Sequence, residues 1–129
     1  MKQIVIIFAT LLLVGCGNTN DSKMSIETKK EVGTVELVVF KTKPLFTKEQ
    51  VIEAAEALNP IVTKFNGYLG RRLSVAEDGT WSDIVYWTDK ESAEFAAKEV
   101  MKSKTCQTFF AMIDEKSMQF MHMKPVIEN

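Results

Sequence analysis

Five side chains in the apolar segments of the sequence could bind a ligand or take part in chemistry. His122 is the only histidine, and histidine is the side chain that most readily gains or loses a proton near neutral pH. If this segment is a strand, His122 shares a face with Phe120, because side chains alternate along a strand. Two carboxylates, Glu36 and Asp83, and one large aromatic side chain, Trp87, lie in other segments rich in β-branched and aromatic residues.

Four of these five ligand-binding candidates also have an ordinary structural interpretation. Trp87 ends an apolar strand, and Phe120 lies in another, so both could be core residues. His122 could be hydrogen-bonded in the core or lie in a dimer interface. Glu36 is either a buried polar contact or a residue at an exposed strand start. The residues therefore define a candidate site without identifying a catalytic group.

The sequence gives no sign of a metal or cofactor site. No second histidine or cysteine accompanies His122 at metal-ligand spacing, so no metal is expected. We find no Ser-His-Asp set, phosphate-binding loop or dinucleotide fingerprint, and we expect no cofactor. Cys106 would need a basic partner to be reactive, and His122 lies sixteen residues further on in a different predicted element. We interpret Cys106 as a small buried residue on a helix.

The N-terminus has the features of a secretory signal. A short charged start precedes an apolar run over residues 4–14, which is shorter than the roughly 18–20 residues of a membrane span. The sequence LVGC at 13–16 resembles the bacterial lipobox, in which the cysteine is lipidated through its sulfur. The resemblance implies a signal peptide over 1–15, lipidation with palmitate-type chains at Cys16, and a lipid-anchored location in the cell envelope. That location is extracytoplasmic, on the periplasmic side in a Gram-negative cell. The alternative is a plain secretory signal.

Composition limits the remaining possibilities. Residues 16–31 are polar and lack aromatic side chains, so they predict a flexible tether. With Cys16 acylated, Cys106 has no partner for a disulfide within one chain. Sixteen basic residues against seventeen acidic ones give a net charge of −1, and this balance excludes the basic excess that nucleic-acid binding requires. The 46% apolar and 26% charged content is that of an ordinary globular domain.

The pattern over residues 32–127 predicts one α+β domain. A capping box at Thr47 begins an apolar helical stripe that Asn59-Pro60 interrupts, and a second capping box is expected at Thr88. Asp78-Gly79 predicts a hairpin. The expected strands are 34–41, 68–76, 81–87 and 117–126, and the expected helices are 47–65, 88–104 and 106–113.

The resulting order, β-α-β-β-α-β, is ferredoxin-like: a four-stranded antiparallel sheet with helices on one face. Three of the strands carry apolar residues on both faces, so the sheet face without helices is also apolar. A bare apolar face of that size indicates a partner. A second copy of the chain, related by a two-fold axis, would cover it. We therefore expect a homodimer.

The domain resembles the antibiotic biosynthesis monooxygenase group of dimeric α/β-barrel proteins. The resemblance rests on the NGYLG step at 66–70, the Asp78-Gly79 hairpin and the DIVYW segment at 83–87 that runs into the next helix. It implies a dimeric α/β barrel. The group includes cofactor-independent oxygenases of polycyclic aromatic substrates and haem-degrading enzymes. Trp87 matches a tryptophan that shapes the haem pocket in the haem-degrading branch. The helix histidine and strand-one asparagine of that branch are missing here. In the aromatic-oxidising branch an asparagine precedes the tryptophan, and Asp83 is its nearest counterpart.

Taken together, the sequence predicts a membrane-anchored lipoprotein whose domain binds a small apolar or aromatic molecule between sheet and helices. One alternative is a cofactor-independent monooxygenase acting on such a molecule. Another is a non-catalytic dimerisation module of the cell envelope.

The lipobox interpretation makes a direct prediction. Cys16→Ser removes the acylated sulfur and should move the protein from the membrane fraction to the soluble fraction, because each buried CH₂ of an acyl chain contributes about 0.8 kcal/mol to anchoring. Cys106→Ser is the matched control and should stay with the membranes. Cell fractionation and intact mass of the chain provide the measurement. A Cys16→Ser variant that remains in the membrane fraction would show that another feature holds the protein there.

Overall fold

The computed structural model describes residues 30–128. The predicted signal over 1–15 and nearly all of the predicted tether lie outside the described residues. Between residues 30 and 128 no helix has both the length and the apolar character needed to cross a membrane. In chain order the elements are β1 (Thr34–Phe40), α1 (Lys48–Glu56), α2 (Asn59–Val62), β2 (Tyr68–Val75), β3 (Trp81–Trp87), α3 (Lys90–Val100), α4 (Lys104–Ala111), a 3₁₀ turn (Glu115–Ser117) and β4 (Gln119–Met123).

The four strands form one antiparallel sheet in the order β2-β3-β1-β4. Strand β1 therefore lies in the interior between β3 and β4, while β2 and β4 are the edges. The helices pack on one face, and the predicted ferredoxin-like fold is confirmed.

The core lies between this sheet face and the helices. Alternation directs every second residue of β3 inward, and all four of these residues are buried. Cys106 is completely buried on α4, as expected for a packing residue. The main core cluster consists of Phe40, Val51, Ala55, Leu58, Val62, Trp81, Cys106, Phe109 and Ile113.

The predicted signals at the first helix are confirmed. Thr47 and Gln50 form the expected capping box. The predicted interruption at Asn59-Pro60 separates α1 from α2, with the proline in the first turn of the new helix, where a missing N–H costs nothing.

The predicted capping box at Thr88 is wrong. The residue that caps α3 is Asp89, whose carboxylate accepts a hydrogen bond from the Ser92 N–H at 2.8 Å. The Thr88 hydroxyl instead donates to Asp89 at 2.8 Å, and the Thr88 N–H donates to the Gly67 carbonyl at 2.8 Å. Thr88 thus belongs to the segment that connects β3 to α3. The Asp89 carboxylate, a stronger hydrogen-bond acceptor than the Thr88 hydroxyl, caps the helix one residue later.

Gly67 allows this junction to be tight. Its φ of +81° is in the left-handed region, and a Cβ there would come within 2.5 Å of the Ser92 hydroxyl. Only glycine satisfies both conditions without strain. The start of β2 can therefore lie directly against the first turn of α3.

The last strand is shorter than the sequence predicts. Strand β4 begins at Gln119, because Ser117 belongs to the preceding 3₁₀ turn. The Ser117 hydroxyl accepts a hydrogen bond from the Lys41 N–H at 2.8 Å. That side-chain contact replaces strand pairing at this end of the sheet.

The sheet face opposite the helices is apolar and partly exposed. Along each strand, the side chains on this face alternate with the buried side chains that point toward the helices. The pairing of the strands places these outward side chains side by side. Met121 and Met123 are 38% and 39% exposed. We call this surface the open face; its apolar residues are Val35, Leu37, Val39, Ile84, Tyr86, Met121 and Met123.

Candidate functional site

A row of four polar side chains crosses the helix-facing side of the sheet. The row runs His122 (β4), Glu36 (β1), Asp83 (β3), Arg71 (β2), one residue from each strand. Glu36 is directly opposite His122. Glu36 and Asp83 are diagonal neighbours, as are Asp83 and Arg71. Such cross-strand neighbours on one face are within reach of each other, and here they lie beneath the helices.

Arg71 and Asp83 form a buried ion pair. The Arg71 Nε and Nη2 atoms donate to the two Asp83 carboxylate oxygens at 2.9 and 2.7 Å. The side chains are only 7% and 10% exposed. This is the planar two-point geometry that suits a guanidinium and a carboxylate.

Arg71 also connects the sheet to the helices. Its Nη1 donates to the Ala55 carbonyl in the last turn of α1 at 2.7 Å and to the Asn59 Oδ1 in α2 at 3.1 Å. Its guanidinium carbon lies 6.0 Å from the centre of the Phe109 ring of α4, at the outer limit of a cation–π contact. One side chain therefore contacts β3, α1, α2 and α4.

Glu36 and His122 form the other half of the row. The Glu36 Oε2 and the His122 Nε2 are 2.8 Å apart, and both side chains are 12% exposed. Burial raises the pKa of the Glu36 carboxyl above its ordinary value. The hydrogen bond and charge of His122 act in the opposite direction, and the negative charge of Asp83 raises the pKa further. The Phe120 ring packs edge-on against the imidazole, with centres 5.0 Å apart.

A cavity of about 470 Å³ lies between this row and helices α3 and α4. Its volume is within the range of about 300–1,000 Å³ that is typical of small-molecule sites. Polar atoms come from Glu36, Arg71, Asp83 and, at the rim, Glu115; the other lining residues are apolar. They are Val38, Phe40, Leu58, Val62, Val85, Ala97, Val100, Met101, Phe109, Phe110, Ile113, Met118 and Phe120.

The cavity opens beside β4. Three lining side chains, Met101, Met118 and Phe120, are 57%, 44% and 48% exposed. Large exposed apolar side chains at the rim of an apolar space are typical of a ligand entrance.

The structure brings four of the five sequence candidates together. Glu36, Asp83 and Phe120 line the cavity, and His122 contacts both Glu36 and Phe120. These four residues come from segments up to 86 positions apart in the chain. They meet because β1 pairs with β3 on one side and with β4 on the other.

Trp87 is not part of this cavity, although the sequence proposed it as a ligand contact. It is 1% exposed and packs edge-on against Tyr68, with ring centres 5.9 Å apart. Two small residues of α3, Ala93 and Ala96, belong to the same buried cluster. Because alanine allows the helix to approach closely, the helix covers the indole. Its Nε1 has no hydrogen-bond partner within residues 30–128.

The sequence alone did not reveal that Arg71 organises the site. The available signals were an arginine on the inward face of a half-apolar strand and an inward carboxylate, Asp83, on the next strand of the hairpin. The cavity-lining side chains of α3 and α4, such as Val100, Phe109 and Phe110, also required the structure, since helix packing decides which side chains face the sheet.

The donor set of the site does not resemble a metal centre. Within the described part of the chain, no three His, Cys, Asp or Glu side chains are grouped so that they could hold an ion. Four hydrogen bonds of the Arg71 side chain go to protein acceptors, so most of its five N–H donors are already used within the protein.

We predict that Arg71→Met lowers the free energy of unfolding by about 3–5 kcal/mol, because it leaves the Asp83 carboxylate buried and unpaired. Urea unfolding measures the change. Lys102→Met is the matched control: it removes an exposed ion pair with Glu99 and should cost about 0–1 kcal/mol. Equal losses for the two variants would contradict the role given to the buried pair.

Comparison with known proteins identifies the fold. No protein-family model matches the sequence, and no curated protein matches it either. Among solved structures, SnoaB, a cofactor-independent oxygenase from Streptomyces nogalater, superposes with a TM-score of 0.64 at 10% identity over 76% of this chain and 97% of its own. The monooxygenase ActVA-Orf6 of Streptomyces coelicolor, in complex with nanaomycin D, gives 0.58 at 16% identity over 76% and 91%. A dimeric ferredoxin-like protein from an uncultured marine organism gives 0.57 at 10% identity over 78% and 94%. The chain therefore has the ferredoxin-like fold of the antibiotic biosynthesis monooxygenases.

Proposed function

We propose that this protein is a cofactor-independent oxygenase that binds a small, largely apolar aromatic molecule in the 470 Å³ cavity. The observation that carries the proposal is the Glu36–His122 pair at the wall of that cavity. It supplies an acid–base group to a largely apolar space. The shared fold with two Streptomyces oxygenases supports the same reaction class.

The chemistry needs only a base and a suitable substrate. Dioxygen has a triplet ground state and reacts slowly with closed-shell molecules, but an electron-rich carbanion or phenolate can reduce it directly. Removal of a proton from an activated CH₂ group of the substrate gives such an anion. The balanced overall change is CH₂ + O₂ → C=O + H₂O. The substrate provides all the electrons, one oxygen atom enters the product, and the other leaves as water.

Glu36 is the residue that takes the proton. It lines the cavity, and the pKa of its carboxyl is raised by burial, which brings its basicity closer to that required at neutral pH. Asp83 is less suitable, because both of its oxygens accept hydrogen bonds from Arg71. Since the ionised form of Glu36 is the base, activity should rise as pH increases through a pKa above the ordinary carboxyl value.

A binding protein without turnover is the second candidate. Arg71, Asp83 and Glu36 each have a partner in the protein, so the cavity could hold an apolar molecule by burial alone. The two candidates share the ligand site and differ in whether dioxygen is consumed.

The proposed setting is the outer side of a membrane. The lipobox-like sequence at 13–16 and the polar residues after it would anchor the domain by a lipid at Cys16 and place it in the cell envelope. The open face would be covered by a second copy of the chain. The dimeric ferredoxin-like neighbour supports that assembly.

We predict that Glu36→Gln lowers kcat/KM by about 10²–10⁴-fold, the usual contribution of a general base, while the ligand still binds. Anthrone, which has an activated CH₂ group between aromatic rings, is the probe. An oxygen electrode and the quinone absorbance measure turnover. Glu53→Gln is the matched control, since Glu53 is an exposed residue of α1 that does not line the cavity, and it should keep the wild-type rate. Anthrone binding without oxygen consumption by the wild type would favour the binding protein.

The homodimer makes a separate prediction. Leu37→Glu places a charge in the centre of the open face and should convert a chain beginning at Met24 from dimer to monomer. Light scattering at micromolar concentration measures the mass. Leu45→Glu is the control, because Leu45 is 72% exposed in a loop outside the sheet. A wild-type mass equal to one chain would mean that no second copy covers this face.

A further inference from the structure

Glu36 and His122 are hydrogen-bonded to each other but line different spaces. Glu36 lines the cavity between sheet and helices. His122 lines a separate surface groove of about 410 Å³ beyond the N-terminal end of β1, which we call the outer groove. The outer groove is formed by Gly33, Thr34, Thr88, Asp89, Lys90, His122, Met123 and Lys124.

We propose that His122 is a proton-carrying residue that connects Glu36 to solvent in the outer groove. The 2.8 Å contact between Glu36 Oε2 and His122 Nε2 is the bridge between the two spaces. This inference rests on the proposed role of Glu36 as the base. It adds a route by which the carboxyl exchanges protons while a ligand fills the cavity.

The proton moves in three balanced transfers. Glu36 takes a proton from the CH₂ group of the substrate and becomes a carboxylic acid; this breaks a C–H bond, whose electron pair stays on the carbanion, and forms an O–H bond. The acid then donates this proton to His122 Nε2, and the resulting imidazolium releases its Nδ1 proton to water in the outer groove. The last two transfers make and break only N–H and O–H bonds. The same steps in reverse return a proton to the cavity, where the reaction forms water.

The surroundings leave few other routes from Glu36. On the Arg71 side, Asp83 is held by two hydrogen bonds from a guanidinium, and a guanidinium does not lose its proton in proteins. The lining residues contributed by α2, α3 and α4 are apolar. The remaining charged group facing the cavity, Glu115 of the 3₁₀ turn, lies at its rim.

The outer groove is suited to receive the proton. Asp89, Lys90 and Lys124 contribute charged groups to its lining, and it lies at the surface, so water can enter it. The Phe120 ring packs against the imidazole from the same strand.

The experiment follows proton transfer without oxidation. 4-Nitrophenol is mixed with the full-length protein at a pH below the ionisation of the phenol. Yellow phenolate absorbance reports proton loss to Glu36, and a pH dye in weak buffer reports proton arrival in solvent. In the wild type the two signals should rise together. In His122→Ala the solvent signal should lag the phenolate signal by about 10²-fold, and imidazole added to the solution should restore it.

The controls separate this inference from the proposed function. His122→Gln keeps a side chain that can hydrogen-bond to Glu36 but cannot carry a proton, so it should show the same lag as His122→Ala. Glu36→Gln should form no phenolate, with or without imidazole. If the wild type forms no phenolate, the base role of Glu36 fails, and the proton route fails with it. If the wild type forms phenolate and the His122 variants release protons at the wild-type rate, or imidazole has no effect on His122→Ala, only the proton route is overturned.

Discussion

The buried ion pair between Arg71 and Asp83 is the interaction on which the rest of the structure depends. Burying a guanidinium and a carboxylate is costly unless each is fully hydrogen-bonded, and here the arginine also donates to Ala55 and Asn59. These contacts fix the junction of α1 and α2 over β2 and β3. The pair therefore joins the helix layer to the sheet, and its two side chains also line the cavity.

The same pair also acts on Glu36. Burial is the main cause of the raised pKa of the Glu36 carboxyl, and the negative charge of Asp83 adds a smaller effect in the same direction. His122 opposes both influences through its hydrogen bond and its charge. The row thus divides into a half in which arginine and aspartate satisfy each other, and a half that carries the proposed base.

Local sequence signals predicted most of the fold, whereas the pairing of strands far apart in the sequence determines which residues meet at the site. The capping box at Thr47, the break at Asn59-Pro60 and the alternation in β3 are properties of a few neighbouring residues, and all three were predictable. The position of Trp87 was not, because it depends on how closely the alanines of α3 approach the sheet. The meeting of Glu36 with His122 follows from antiparallel pairing of the first and last strands. Alternation could assign each residue to a face, but only the register places the two side chains opposite each other.

Strand β1 links the two faces of the sheet. Its residues alternate, so Glu36 points toward the cavity while Leu37 points to the open face, and a shift of one residue would exchange them. Strand β4 is an edge strand that pairs only with β1, and its own alternation puts His122 on the cavity side and Met121 on the open face. A partner packed on the open face would hold β1 and β4 together from outside. With such a partner, the distance between Glu36 and His122 would depend on both surfaces: the cavity side positions the pair, and the open face would constrain the two strands that carry it.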